Sequence, residues 1–238
     1  MGKHRNLIKK QLEHDVQIII TRWEDQFNEL AGVDAARLSV NQSYKEHFSA
    51  DESFSDLENL IACTKSEEMR ITLLKRDENL DDHISMKIFH AREALSLSRR
   101  VPLLENLGFG VISEQTYEVD VKDDNGTPKP VVIHDMELNL PANTDLDLER
   151  DHERLEAAFK NIWRGLSDND LYNQLVVASG LNVREAKVMR AYARYLRQAG
   201  ITYSQHYIAE TLVKYPEISK DLFKLFENRF DPKLTDSD

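Results

Sequence analysis

The sequence has a single cysteine, Cys63, so no disulfide can form within the chain, and a reducing compartment is the simplest setting. It has no long apolar run. Stretches such as "VQIII" at 16–20 fall far short of the roughly 20 residues that a membrane span needs. The N-terminus "MGKHRNLIKKQLEH" has no apolar block of the kind a signal peptide carries. Without secretion the sequon "NQS" at 41–43 means nothing, and the expected location is the cytoplasm. Positive charge is also short: 31 Lys and Arg stand against 42 Asp and Glu, a formal net charge of -11. Phosphate binding over a large surface needs a basic face, so a dedicated nucleic-acid protein is not expected. There is no Gly-Lys-Ser/Thr, which excludes a phosphate-cradling P-loop. No internal repeat of fixed period occurs.

What remains is a soluble composition, 41% apolar and 31% charged, over 238 residues. That is enough chain for one large domain or two modest ones, each with a core. Residues 5–31 read as one long helix: Leu7, Ile8, Leu12, Val16, Ile19, Ile20, Trp23, Phe27 and Leu30 recur at spacings of three and four, and Gly32 is a stop. A short helix is expected over 34–48. "SFSDLENLIAC" predicts a third, capped by Ser53 or Ser55.

The period then changes. "RITLLKR" at 70–76 and "ISMKIFH" at 84–90 predict strands. "SLSRRVPLLENLG" at 96–108 predicts a helix stopped by Gly108, with Pro102 tolerated only near the first turn. "GVISEQTYEVDV" at 110–121 alternates with period two. "DDNGTPKP" at 123–130 is the strongest turn signal in the chain, and "VVIHDMELNL" at 131–140 is the returning strand. Leu155, Ala158, Phe159, Ile162 and Trp163 make an apolar helical stripe. The order β-α-β-β-α is the split βαβ, or ferredoxin-like, arrangement. Beyond about 150 everything reads as helical, with breaks near Gly165, Gly180, Gly200 and Pro216. The fold class is α+β, with N-terminal helices, an antiparallel sheet unit and a C-terminal helical bundle.

Chemistry is sparse. "GFGVIS" at 108–113 approximates a dinucleotide fingerprint, but the fingerprint needs a strand before its glycines and a helix after them. Here the order is helix, glycines, strand, and Ser113 stands in the third glycine's place. A helix stop is the simpler reading. His206 and Glu210 are spaced i,i+4; "DDH" at 81–83 and "DHE" at 151–153 are acidic-histidine clusters. A metal site needs three or four converging ligands, and each of these supplies only a start. Cys63 has only Lys65 nearby to activate it. No catalytic, cofactor-binding or metal-binding residue is therefore assigned.

The stretch 184–232 has the outline of a helix-turn-helix. Its first helix carries Arg184, Lys187, Arg190, Arg194 and Arg197 against Glu185 alone. A reader of DNA places its second helix in the major groove, and that helix, "SQHYIAETLVKY", has one lysine and one glutamate. The basic charge is on the wrong helix. The plainer reading is a helical hairpin whose arginines pair with acidic residues elsewhere. Tyr192, Tyr195, Leu196 and Ile208 are then core or interface residues.

The stretch "VMRAYARYLRQAGITYSQHYIAETLVKYPEISKDLFKLFENRFDP" resembles the helical segment that precedes the catalytic core of the very large bacterial NAD-specific glutamate dehydrogenases. "TRWEDQF" at 21–27, "ISMKIFHAREALSLSRRVPLLENLGFGVISEQTYEV" at 84–119, "VVIHDMEL" at 131–138 and "RLEAAFKNIWRGLSDNDLYNQLVVASGLNVREAKVMRAYARYLRQ" at 154–198 are similar to that family in the same order. The likeness covers nearly the whole chain, and is weakest over 33–83.

The resemblance implies a piece of a longer enzyme, with a helical segment over 1–66, an ACT-like α+β unit over 67–164, and a helical segment over 165–238 that leads toward a catalytic core. The implied parent reaction is oxidative deamination of L-glutamate to 2-oxoglutarate with NAD as hydride acceptor. No position matches a catalytic or NAD-binding motif, so this chain alone is expected to be inactive and to hold no cofactor. Its implied role is to couple regulatory domains to the core and to support a homo-oligomer, its partners being the rest of the same polypeptide. The loop 90–98, "HAREALSLS", lacks the glycine that amino-acid-binding ACT domains place after their first strand. An amino-acid effector bound by this unit is the alternative. A helix-turn-helix DNA binder is the third reading. Neither a nucleic-acid nor a membrane partner is expected.

Overall fold

The structure, a computed structural model, describes residues 2–66, 68–76, 82–91, 94–141, 144 and 146–231. Helix α1 spans Gly2–Ala31, and Gly32, at φ +54°, ends it as expected. The expected helix over 34–48 is not there as one element. A 3-10 turn (Gly32–Arg37) is followed by the two-residue strand β1 (Leu38–Ser39) and by α2 (Gln42–His47). The cause is local. Leu38 and Ser39 extend to pair with Val121 and Asp120, and the Asn41 side chain then accepts from the Tyr44 N–H, starting a new helix. Helix α3 (Ala50–Ser66) starts earlier than its serines suggested. Ser49 Oγ accepts from the Glu52 N–H, whereas Ser53 and Ser55 sit inside the helix and donate back to the carbonyls of Ser49 and Asp51.

Strands β2 (Arg70–Leu74), β3 (His83–Ala91), β4 (Gly110–Lys122) and β5 (Pro128–Asn139) fall where the period changed. Helix α4 (Leu97–Leu107) joins β3 to β4, and α5 (Leu148–Trp163) follows β5. The antiparallel sheet runs β1-β4-β5-β3-β2, so β5 lies between β3 and β4 as the split βαβ order requires. Pro102 lies at the sixth residue of α4, not in its first turn, and withholds a hydrogen bond from the Ser98 carbonyl. After a short 3-10 turn (Leu171–Asn173) come α6 (Gln174–Ala178), α7 (Val183–Gln198), α8 (Gln205–Lys214) and α9 (Pro216–Phe230). The class is α+β. Among the described residues no helix is long and apolar enough to cross a membrane.

The chain divides into two compact units. The first comprises Met1–Arg70, Ile88–Ala94 and Gln115–Asp135. Its core is aromatic. Trp23 stacks on Phe27 with ring centres 4.8 Å apart, and its indole N–H donates to the Phe48 carbonyl at 2.8 Å. Tyr44 meets Tyr117 edge-on at 5.9 Å. Tyr117, Val119 and Val121 alternate inward along β4, and Cys63 is buried among them.

The second unit comprises Ile71–Lys87, Leu95–Glu114 and Met136–Asp238. Leu155, Ala158, Phe159 and Ile162 of α5 are all buried, as their spacing predicts. Trp163 is stacked on Phe159, with the Arg99 guanidinium 4.3 Å from its ring centre. Tyr172, Leu175, Leu181, Met189, Ala193, Ala209 and Phe223 form the core of the helical end.

Candidate functional site

Helix α7 organises the C-terminal helices. Asn182 accepts from the backbone of Arg184 and Glu185, and the Glu185 carboxylate reaches back to the Asn182 N–H, a reciprocal cap that fixes the helix start. On one side of α7, Arg190 is buried. Its Nε and Nη2 grip the Asp170 carboxylate at 2.8 and 2.7 Å, and Nη2 also donates to Asn173 Oδ1 at 2.8 Å. The guanidinium lies 5.6 Å from the Tyr172 ring centre. Burial, with the Asp170 charge adding to it, pushes the Tyr172 hydroxyl up to about 12. That hydroxyl donates to the Gln205 carbonyl at 3.1 Å, tying the turn at 171–173 to the start of α8. One turn beyond Arg190, Arg194 pairs with Asp168 at 2.7 Å on the surface. Two of the five basic residues thus have acidic partners, which is the helical-hairpin reading.

The other side of α7 is apolar and open. Tyr192, Leu196, Ile208 and Leu212 face Leu222, Leu225, Phe226 and Phe230 of α9 across a groove of about 280 Å³, with Arg229 at its rim. Leu225 is 64% exposed and Phe230 58%, with Tyr192, Leu196 and Leu222 near 40%. Large side chains exposed together in this way form an uncovered apolar patch. Tyr195, also read as core or interface, is 63% exposed outside the groove; Ile208 is partly buried.

The sequence's other candidates are dispersed. His206 Nε2 and Glu210 Oε1 are 3.2 Å apart on exposed faces of α8. His83 pairs with Asp82, whose carboxyl the histidine holds below the usual carboxylate range; Asp81 lies outside the described residues. Asp151 is buried and held low by Arg150, while His152 donates to the Ile71 carbonyl at 2.8 Å. Among the described residues no three His, Cys, Asp or Glu converge as a metal site would require. Cys63 Sγ lies 3.3 Å from the Glu68 carbonyl in the core of the first unit, and Lys65 is engaged with Asp124. Gly108, at φ +102°, ends α4 and Gly110 opens β4. That order offers no helix N-terminus to a pyrophosphate at these two glycines.

Two half-buried pairs went unread in the sequence. His47 Nε2 lies 2.9 Å from Asp135 Oδ2 with its ring stacked on Tyr117, and buried Arg100 pairs with Glu114 of β4. His47 and Asp135 are 88 positions apart, so no local pattern could have joined them.

Residues 68–150 match the family pattern described as glutamate dehydrogenase, ACT3 domain, and residues 167–232 that of glutamate dehydrogenase, helical motif 3. The two patterns together take in more than half of the chain. The chain belongs to the NAD-specific glutamate dehydrogenase family. It is 34% identical over 234 residues to the NAD-specific glutamate dehydrogenase of Halomonas elongata, a match that covers 94% of this chain and 14% of the relative. The enzymes of the same name from Pseudomonas aeruginosa and Mycobacterium tuberculosis are 29% and 30% identical, over 92% and 88% of the chain and 14% and 13% of their own lengths. The chain thus spans about a seventh of the dehydrogenases it matches. In these glutamate dehydrogenase terms, the β3–β5 sheet and α4 lie within the ACT3 match, and α7–α9 with their apolar groove lie within helical motif 3.

Proposed function

We propose that this chain is a regulatory and structural segment of an NAD-dependent glutamate dehydrogenase, acting in the cytoplasm. The whole enzyme would convert L-glutamate, NAD and water to 2-oxoglutarate, ammonia and NADH. In this reading NAD and glutamate bind elsewhere in the polypeptide, since the only glycine pair here stands in the wrong order for a pyrophosphate. The chain has three parts, 1–66, 67–164 and 165–238. The middle unit and the helices around it link regulatory domains to the catalytic core and support a homo-oligomer.

The observation that carries the reading is the open groove between α7 and α9. Its exposed leucines and aromatics call for cover, and the matched dehydrogenases are about seven times longer than this chain, which leaves ample polypeptide to supply it. The occupant we assign is an apolar surface of the remaining dehydrogenase polypeptide. The test is Leu222→Asp with Leu225→Asp in the full-length enzyme. Both side chains are exposed in the isolated chain, so its circular dichroism and unfolding midpoint should barely change. In the whole enzyme, dehydrogenase activity should fall at least about tenfold, or the oligomer should dissociate in light scattering. Wild-type activity and mass together would overturn the reading, as would dehydrogenase activity in this chain alone.

A further inference from the structure

A second cleft, distinct from the apolar groove, lies between the loop after α5 and the basic side of α7. It measures about 510 Å³ and is lined by Gly165, Ser167, Asp168, Lys187, Arg190 and Arg194, with Leu166 and Tyr195 at its mouth. Its floor is fixed. The Gly165 and Leu166 N–H groups donate to the carbonyls of Ile162 and Asn161, and Asn173 Nδ2 donates to the Asp168 carbonyl at 3.0 Å. Gly165 adopts φ +71°, and a side chain there would meet nothing within 4 Å, so the loop's path leaves space instead of filling it.

The polar groups of the cleft are under-used. Ser167 is only 7% exposed, yet its hydroxyl has no hydrogen-bond partner. Such an unpaired buried group is a cost to the fold. Lys187 Nζ has three donors and spends one on the Leu166 carbonyl. Arg194 spends one of its five on Asp168, in a pair whose two side chains are each 56% exposed. A pair that open to water is weak and can be exchanged for another anion. Arg190 is committed to Asp170 and Asn173, so its charge is already compensated and the cleft's exchangeable cations are Lys187 and Arg194.

We propose that this cleft binds a small oxyanion, a carboxylate or a phosphate, through Lys187 Nζ and the Arg194 guanidinium. Asp168 acts as the built-in competitor that the ligand displaces from Arg194. This accounts for basic residues of α7 that the assembly role leaves unused. It does not depend on that role, since the groove and the cleft share no residue.

The test uses calorimetric titration of the 238-residue chain with inorganic phosphate and with succinate, against sodium chloride at matched ionic strength. Saturable binding of either anion, absent with chloride, is expected. Phosphate alone would identify a phosphoryl ligand, succinate alone a carboxylate. Lys187→Gln with Arg194→Gln should weaken binding at least about tenfold, the loss expected for charge-assisted bonds. Asp168→Asn should strengthen it, because it frees Arg194 and removes a repulsive charge, and a misfolded variant could not produce that gain. Equal responses to all three salts, or binding unchanged in both the double variant and Asp168→Asn, would overturn the proposal.

Discussion

Arg190 and Asp170 are joined by two parallel hydrogen bonds, Nε to Oδ2 at 2.8 Å and Nη2 to Oδ1 at 2.7 Å, with the arginine side chain almost wholly buried. A buried fork of this kind leaves an uncompensated partner when one side is removed. Arg190→Ala should therefore cost about 2–4 kcal/mol in urea unfolding, and Arg190→Lys should recover only part of it, since an ammonium cannot match the fork. Arg194→Ala, one turn away on the surface, should cost under about 1 kcal/mol. Equal losses at the two positions would refute this account of the helical end.

The Tyr172 hydroxyl supplies a pH prediction. Its pKa in the fold is raised to about 12 because burial and the Asp170 charge disfavour the phenolate, whereas an unfolded tyrosine titrates near 10. The neutral form is thus the one the fold prefers. The stabilisation is complete below pH 10 and is lost as pH rises from about 10 to about 12. Tyr172→Phe should start about 1 kcal/mol less stable, for want of the bond to the Gln205 carbonyl, and should then lose less than wild type across that interval. Guanidinium unfolding at a series of alkaline pH values would read both effects.

Gly108 is held at φ +102° at the end of α4, and a methyl group there would approach Gln174 Cγ to 2.9 Å and Pro141 Cγ to 3.0 Å. Gly108→Ala combines left-handed strain with a clash, and a loss of about 2–3 kcal/mol is expected. Gly126, at φ +76° in the β4–β5 turn, has open space around it. Gly126→Ala should cost the strain alone, about 1 kcal/mol. Thermal unfolding of the two variants side by side checks the difference.

Pro102 is exposed inside α4, and its ring denies the Ser98 carbonyl a helical partner. Pro102→Ala should raise stability by roughly 1–3 kcal/mol if the missing bond forms without disturbing Leu103 and Leu104, which are buried. A drop in the urea midpoint would mean that the proline ring itself is required for packing.

The elements with a clear period were legible in the sequence. α1 was visible from its spacing of three and four, β4 from Tyr117, Val119 and Val121, and α5 from Leu155 to Ile162. The stretch 34–48 was not, because Leu38 and Ser39 are set by the distant partners Val121 and Asp120, which no local window contains. The groove was half legible. Tyr192 and Leu196 carry the spacing of a buried stripe, and periodicity cannot say whether the matching surface lies in the same chain. The oxyanion cleft was legible only as basic residues on α7. Its Ser167 hydroxyl and the loop beneath it depend on how 165–168 meets that helix, information carried by no local motif.

Strand β2 lies at one edge of the sheet, and there the Ile71 N–H donates to Glu156 while its carbonyl accepts from His152, both on α5. Two side chains thus occupy the groups that an incoming strand would need. At that residue the sheet is closed to templated strand addition, the route by which exposed edges seed fibrils. A neighbour arriving there would have to bind through side chains.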